Sequence, residues 1–321
     1  MSYVFGIDGG GSKTICLLMD ENKIVLGRGE AGPSNYQTLG IETAKQSIQL
    51  AIEQAILSAN IKVNTRLNIE AICLGLAGVG RPKDIEIVQF CVQNLQLTRD
   101  LPINQLWRPK NIVVCGDCAI ALVGGIGHPS GIAVISGTGS IVFGQNRQGQ
   151  TKRVGGWGYI LGDEGSGYDI AIRGLQAALK FYDGRADYTA LAENFQVHLG
   201  LKNFEELVEV VYRRGWGVKE IAALSLIVDR AAAEGDRVAD DIINRAVAEL
   251  IWGTKTAISA LFNETEDFEI VTIGGVWDGE ANFRERFEAG ISAIAPKAKV
   301  ISPRSEPAFG AGLLAFKALN S

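Results

Sequence analysis

Tyr3-Val4-Phe5-Gly6-Ile7-Asp8-Gly9-Gly10-Gly11-Ser12-Lys13-Thr14-Ile15-Cys16-Leu17-Leu18-Met19 opens the chain, and its reading decides the fold. Two apolar runs enclose a glycine turn, so the segment is strand, turn, strand. A second segment of the same form follows about one domain later. There Gly131-Ile132-Ala133-Val134-Ile135 leads into the turn Ser136-Gly137-Thr138-Gly139-Ser140 and on to Ile141-Val142-Phe143-Gly144. Glycine admits positive φ and lets bare amides approach an anion, while Ser, Thr and Lys add donors. Two such hairpins facing each other would grip a polyphosphate from both sides.

Outward from the first hairpin, a turn at Asp20-Glu21-Asn22 leads to a third strand over 23–29. A helix over about 42–59 carries Ala44, Ile48, Ala51, Ile52, Ala55 and Ile56 at the spacing of one helical face. A buried strand over 69–76, a helix over 84–95 and a strand over 111–115 follow. Helices between apolar strands imply parallel pairing, and the order is β-β-β-α-β-α-β. After a short helix over 119–125 the pattern begins again, with strands over 131–136, 140–145 and 151–154. The chain therefore reads as an internal duplication, on element order rather than residue identity. The second copy carries a helical insertion over about 163–262, with helices over 168–181, 204–213, 219–234 and 236–261. That insertion is expected to shape substrate binding or dimer contact. A strand over 268–273 then runs into Gly274-Gly275-Val276, and a helix over 307–319 closes the chain. The expected fold class is α/β with two duplicated domains, one spanning 1–119 plus 307–321 and the other 120–306.

At 321 residues, 47% hydrophobic and 21% charged, the chain is large enough for two cores. A net charge of −5, with no stretch interleaving Lys or Arg with aromatics, argues against nucleic acid as a partner. The start has no basic segment and no cleavage-site pattern, which predicts a cytoplasmic protein. The uncharged run from Cys118 to Asn146 is long enough to span a bilayer, but glycines and Pro129 interrupt it. It reads as a helix, a turn and a buried hairpin, not as a membrane span. Five scattered cysteines fit reduced thiols. Cys115-x-x-Cys118 has ligand-like spacing but no second pair, and His128 and His198 are the two histidines, so no protein-ligated metal centre is expected.

The first hairpin approaches a Walker A box and fails it: Gly6 and Gly11 have the spacing, yet Ser12 follows Gly11 and the turn leads to a strand. Gly27-Arg28-Gly29-Glu30-Ala31-Gly32 matches a dinucleotide-binding pattern, but Pro33-Ser34-Asn35 follows and no helix opens there, so it is a turn. Asp8 ends a buried strand, where its charge needs a partner: a hydrated Mg²⁺ beside nucleotide phosphates, or the turn amides. Asp117 follows a strand end. A carboxylate there can take the proton of a hydroxyl attacking the γ-phosphorus, and can equally cap the helix starting at Ala119. Gly155-Gly156-Trp157-Gly158 and Gly162-Asp163-Glu164-Gly165-Ser166 pair one large aromatic with two acids, the kind of set that reads sugar hydroxyls. Pro33-Ser34-Asn35-Tyr36 alone is a polar turn.

Together these motifs resemble the N-acetylglucosamine kinase branch of the BadF/BadG-type ATPases, in the superfamily of sugar kinases, actin and heat-shock chaperones. The resemblance covers essentially the whole chain. It implies two ribonuclease-H-like domains with a nucleotide cleft between them, a homodimer, and ATP and Mg²⁺ as cofactors. It implies phosphate contacts from Gly10, Gly11, Ser12, Lys13, Thr14, Gly137, Thr138 and Gly139, and adenosine beside Gly274 and Gly275. Asp117 is the implied base, Asp8 the residue that holds Mg²⁺ through water, and Asn35, Asp117, Ser140, Gly156, Trp157 and Asp163 the sugar contacts. The implied activity is ATP-dependent phosphorylation of a hexosamine, N-acetylglucosamine first, at its 6-hydroxyl. Ile141 departs from the animal-type pattern, which has a sugar-binding Asn there, so glucosamine and muramate-type sugars stand as alternatives. One rival is an iron–sulfur ATPase activator of a radical dehydratase, against which Cys115 and Cys118 straddle Asp117. The other is a non-catalytic nucleotide or sugar sensor.

Overall fold

Alternation along the first hairpin sorts its side chains onto two faces of a sheet. Phe5, Ile7, Cys16 and Leu18 join one buried cluster, while Val4, Leu17 and Met19 join another. The computed structural model describes residues 2–59, 61, 66–98, 101–103, 107–213 and 215–320. It divides into two units, 1–129 with 303–321 and 130–302.

In the first unit the described residues form a five-stranded sheet of β1 (Tyr3–Gly9), β2 (Thr14–Asp20), β3 (Val25–Ala31), β4 (Ile69–Leu76) and β5 (Ile112–Gly116), in the order β3-β2-β1-β4-β5. β1 pairs antiparallel with β2 and parallel with β4, which pairs parallel with β5. Helices Ile41–Ser58 and Pro82–Thr98 make the parallel crossovers, and Ile48, Ile52, Val88 and Val92 pack on the Phe5 face. Gly27 and Gly29 explain the dinucleotide-like pattern. A Cβ at either would collide with a carbonyl oxygen of helix Ile41–Ser58, that of Ala55 or Ala51, so these glycines let the helix lie directly on β3. Helix Pro307–Leu319 packs against the opposite face with Ala308, Ala311 and Ala315.

The second unit repeats the plan. β6 (Gly131–Ser136), β7 (Ser140–Gln145), β8 (Thr151–Gly155), β9 (Phe268–Ile273) and β10 (Ala298–Ile301) have the order β10-β9-β6-β7-β8, which is the first sheet's order with each strand replaced by its counterpart. The insertion packs Leu175, Leu191, Phe195, Val228, Ala246 and Leu250 into one cluster with Ile132 and Val142 of the sheet.

Several elements differ from the sequence reading. The unit boundary falls after residue 129 and before 303, instead of at 119/120 and 306/307. Helix Asp117–Ile126 belongs with the first unit because it packs on the closing helix. Backbone N–H groups of Arg304 and Ser305 donate to the carbonyls of Gly125 and Gly124, at 3.0 and 3.1 Å. Helix Phe283–Ile294 and β10 complete the second copy and were not expected. Helix Leu191–Leu199 is a further addition, and the helix expected over 219–234 is two, Val218–Ala223 and Ser225–Ala233. The run from Cys118 to Asn146 forms helix Asp117–Ile126 and the β6–β7 hairpin, and no helix of the described residues is long and apolar enough to cross a membrane.

Candidate active site

The β1–β2 turn is a tight one. Gly9 stands opposite Thr14, and the Gly10 N–H donates to the Lys13 carbonyl at 2.9 Å. Gly11, Ser12 and Lys13 are exposed, and a Cβ at Gly11 would meet no atom within 4 Å. Lys13 Nζ lies 3.7 Å from Glu30 on the neighbouring strand β3. Thr14 is placed differently: it is fully buried, its hydroxyl donates to the Gly32 carbonyl at 2.7 Å, and it lies 2.8 Å from the Ser34 hydroxyl. That hydroxyl ties the 32–35 loop to the hairpin and is not open to a phosphate.

Asp8 and Asp117 stand at strand ends of one sheet. Asp8 is in register with Gly75 of β4, and Leu76 is in register with Gly116 of β5, the residue before Asp117. Asp117 is the first residue of helix Asp117–Ile126 and Gly116 its N-cap, so the capping role expected of Asp117 is corrected by one position. Asp117 Oδ1 accepts the Cys118 N–H at 2.9 Å. The Asp8 carboxyl is pushed up to about 6, first by burial, then by the negative charges of Asp117 and Glu306, with Lys13 opposing. This concentration of carboxylates suits a cation. Among the described residues no three acidic, His or Cys groups stand close enough to hold one directly. The set fits a hydrated Mg²⁺ bound through its waters, since that ion gives up water reluctantly. Glu306, the N-cap of the closing helix, was missed by the sequence reading, although a residue before Pro at a helix start marks a cap.

Asn35 caps helix Tyr36–Leu39, its Oδ1 accepting the Gln37 N–H at 3.1 Å. It is packed against Gly78 (φ +81°), where a Cβ would stand 2.7 Å from Asn35 Oδ1. The same 77–80 loop reaches Gly116, where a Cβ would stand 2.9 Å from the Val79 carbonyl oxygen, so Asn35 and Asp117 flank one loop. Tyr36 O–H donates to Asp84 at 2.6 Å, a bond that lowers the Asp84 carboxyl and ties helix Tyr36–Leu39 to the start of helix Pro82–Thr98. Cys73 is buried and hydrogen-bonded with Cys115. Burial raises the Cys73 thiol well above its ordinary value, which keeps it protonated and unlike a metal thiolate.

In the second unit the β6–β7 turn is built into its surroundings. Gly137 N–H donates to Gly139 at 3.0 Å, and the Gly137 carbonyl accepts from Gly167 at 2.8 Å. Ser136 Oγ donates to the Gly165 carbonyl and Ser140 Oγ to the Glu164 carbonyl, both at 2.8 Å. Gly274 (φ +113°) touches the same turn: a Cβ there would collide with the Ser136 carbonyl oxygen, so both the conformation and the space require glycine. Thus Gly137 and Gly274, read as phosphate and adenosine positions, are neighbours. Asp229, on helix Ser225–Ala233, accepts N–H bonds from Glu280 and Ala281 at 2.6 and 3.2 Å and anchors the segment after Gly275. Sequence reasoning missed it because its partners lie about 50 residues away.

Asp163 is buried with φ +62°. Its Oδ1 accepts the Gly158 N–H at 3.2 Å, and a Cβ at Gly139 would stand 2.5 Å from its Oδ2. Burial raises its carboxyl, while the Gly158 and Ser140 amides act against that shift. Asp163 therefore joins the glycine-tryptophan block to the β6–β7 turn. Trp157 is 68% exposed, and with Ser140, Ile141 and Glu164 it lines a cavity of ≈ 430 Å³. Asp8, Gly10–Thr14, Asn35 and Asp117 thus belong to the first unit, and Gly137–Ser140, Gly156, Trp157, Asp163, Gly274 and Gly275 to the second.

Comparison with known proteins matches this chain along its length. The N-acetylmuramic acid/N-acetylglucosamine kinase of Clostridium acetobutylicum is 37% identical over 316 residues, 98% of each chain. The N-acetyl-D-glucosamine kinase of Dictyostelium discoideum is 32% identical over 325 residues, 98% of this chain and 97% of that one. A solved structure from Chromobacterium violaceum, provisionally assigned as an N-acetylglucosamine kinase, superposes with a TM-score of 0.74 at 24% identity, covering 98% of both chains, a likeness of fold. The model of the BadF/BadG/BcrA/BcrD ATPase family matches residues 5–315, and the chain belongs to that family.

Proposed function

We propose that the chain is an ATP-dependent amino-sugar kinase that phosphorylates N-acetylglucosamine at its 6-hydroxyl, acting as a cytoplasmic homodimer. The observation that carries this reading is the pairing of Asp117, at the first turn of a helix after a parallel strand, with the half-buried Asp8, whose carboxyl is raised by burial and then by the charge of Asp117. Asp117 accepts the proton of the sugar hydroxyl as that oxygen attacks the γ-phosphorus, and ADP leaves. Gly10, Gly11, Ser12 and Lys13 hold phosphate from the first unit, Gly137, Thr138 and Gly139 from the second, with adenosine beside Gly274 and Gly275. Mg²⁺, held by Asp8 through water, would supply charge neutralisation on the phosphates. Asn35, Ser140, Gly156, Trp157 and Asp163 bind the sugar. Full-length relatives named as kinases of N-acetylglucosamine and N-acetylmuramic acid support the choice of substrate class.

The test is ADP release with MgATP over a panel of N-acetylglucosamine, N-acetylmuramic acid, glucosamine and glucose. Stimulation by an amino sugar is expected; a rate no higher than with water alone for every sugar would end the kinase reading.

A further inference from the structure

β8 ends at Gly155 and Gly156 follows it, two consecutive glycines with left-handed backbone at φ +73° and +69°, directly before Trp157. Glycines in such a stretch hold no fixed direction unless something else supplies it. Arg153 supplies it from the same strand. Its Nε donates to the Gly155 carbonyl at 3.2 Å, a terminal nitrogen donates to the Gly156 carbonyl, and its Cζ lies over the Trp157 ring, 5.1 Å from the centroid. One planar fork thus engages both glycines and the aromatic they carry, a combination open to arginine and not to lysine. With Arg153 over the ring, 68% of Trp157 still remains exposed and it borders the cavity, as a platform for a ligand would.

Ile141 supports the same glycines from the neighbouring strand. It is in register with Gly155, and a Cβ at Gly156 would stand 2.6 Å from Ile141 Cδ1 and 3.1 Å from the Arg153 guanidinium. The Ile141 side chain is therefore committed to Gly156. Its apolar character, which breaks the animal-type sugar-binding pattern, has a use of its own here: it fills the space beneath the turn that Arg153 clamps.

We propose that Arg153 is a positioning residue which, with Ile141 beneath Gly156, sets the Trp157 ring in the place where it meets the sugar. This rests on the kinase reading. It also follows that restoring a polar side chain at 141 harms sugar binding instead of repairing it.

The experiment compares Arg153→Met, Arg153→Lys, Ile141→Asn and Trp157→Phe with the unaltered protein, reading the KM for sugar, the KM for ATP, kcat and the thermal midpoint. Arg153→Met is expected to raise the sugar KM about tenfold or more, with kcat and the ATP KM within about twofold. Arg153→Lys is expected to give no rescue, and Ile141→Asn to raise the sugar KM. The double variant Arg153→Met/Trp157→Phe is expected to be little worse than Trp157→Phe, because both changes act on one ring. A normal sugar KM in Arg153→Lys, multiplicative effects in the double variant, or a lowered sugar KM in Ile141→Asn would each overturn the proposal while leaving the kinase reading intact. Absence of turnover by the unaltered protein on any sugar would instead sink the kinase reading.

Discussion

Asp117, at the helix start that follows β5, faces Asp8 on β1 two strands over, and burial first, then the charges of Asp117 and Glu306, hold the Asp8 carboxyl up at about 6. Folding therefore stores a penalty at Asp8. The folded protein keeps a proton that the unfolded chain, at 3.8, has released. The penalty is absent below that value, grows as pH rises through the window from 3.8 to about 6, and is complete above it. Two pKa units and a little more correspond to roughly 3 kcal/mol. Asp8→Asn should therefore stabilise the metal-free protein at pH 7.5 by up to about 3 kcal/mol, with the gain fading toward pH 4. Urea unfolding in chelator at the two pH values measures this, and a gain independent of pH would contradict it.

Glycines on the first hairpin and its third strand divide by what surrounds them. Gly29→Ala would drive a methyl into the Ala51 carbonyl of the covering helix and should cost at least about 1–3 kcal/mol. Gly11→Ala meets nothing within 4 Å and should leave stability within about 0.5 kcal/mol while raising the KM for ATP. Thermal midpoints and ATP kinetics on the two variants check the contrast, which fails if Gly11→Ala proves the less stable.

Thr14 bonds within the fold. Thr14→Val would leave the buried Ser34 hydroxyl without its partner and should cost about 1–3 kcal/mol, with Thr14→Ser recovering most of it. Equal losses in the two variants, read by urea unfolding, would argue that the hydroxyl does not act as described.

Asp163 accepts amides from two segments in a left-handed backbone that asparagine also tolerates. Asp163→Asn should therefore fold, yet raise the sugar KM about tenfold while the ATP KM stays within about twofold. Steady-state kinetics with each substrate varied would expose the opposite pattern.

Much of this was legible in the order of residues. Both hairpins show alternation and glycine turns, and the β-β-β opening of each copy follows from them and from the third strand beside each. Phe283, Phe287 and Ile291 at four-residue spacing carried the signal of the unread helix, whereas Ala298–Ile301 is too short for any period to announce it. Gly27-x-Gly29 misleads a motif scan because helix-on-strand contact and pyrophosphate binding ask for the same small residue. Glu306 and Arg153 escaped for another reason: each acts through neighbours that only the folded chain supplies, Asp8 for one and a pair of glycine carbonyls for the other.

Phosphoryl transfer can be seen directly by ³¹P spectroscopy of N-acetylglucosamine incubated with MgATP and the protein, with Asp117→Asn alongside. The expected result is a new sugar 6-phosphate resonance growing in step with ADP, with the variant slowed about 10²- to 10⁴-fold though still binding nucleotide. Loss of ATP to inorganic phosphate alone, or an unimpaired Asp117→Asn, would contradict a sugar kinase in which Asp117 is the base.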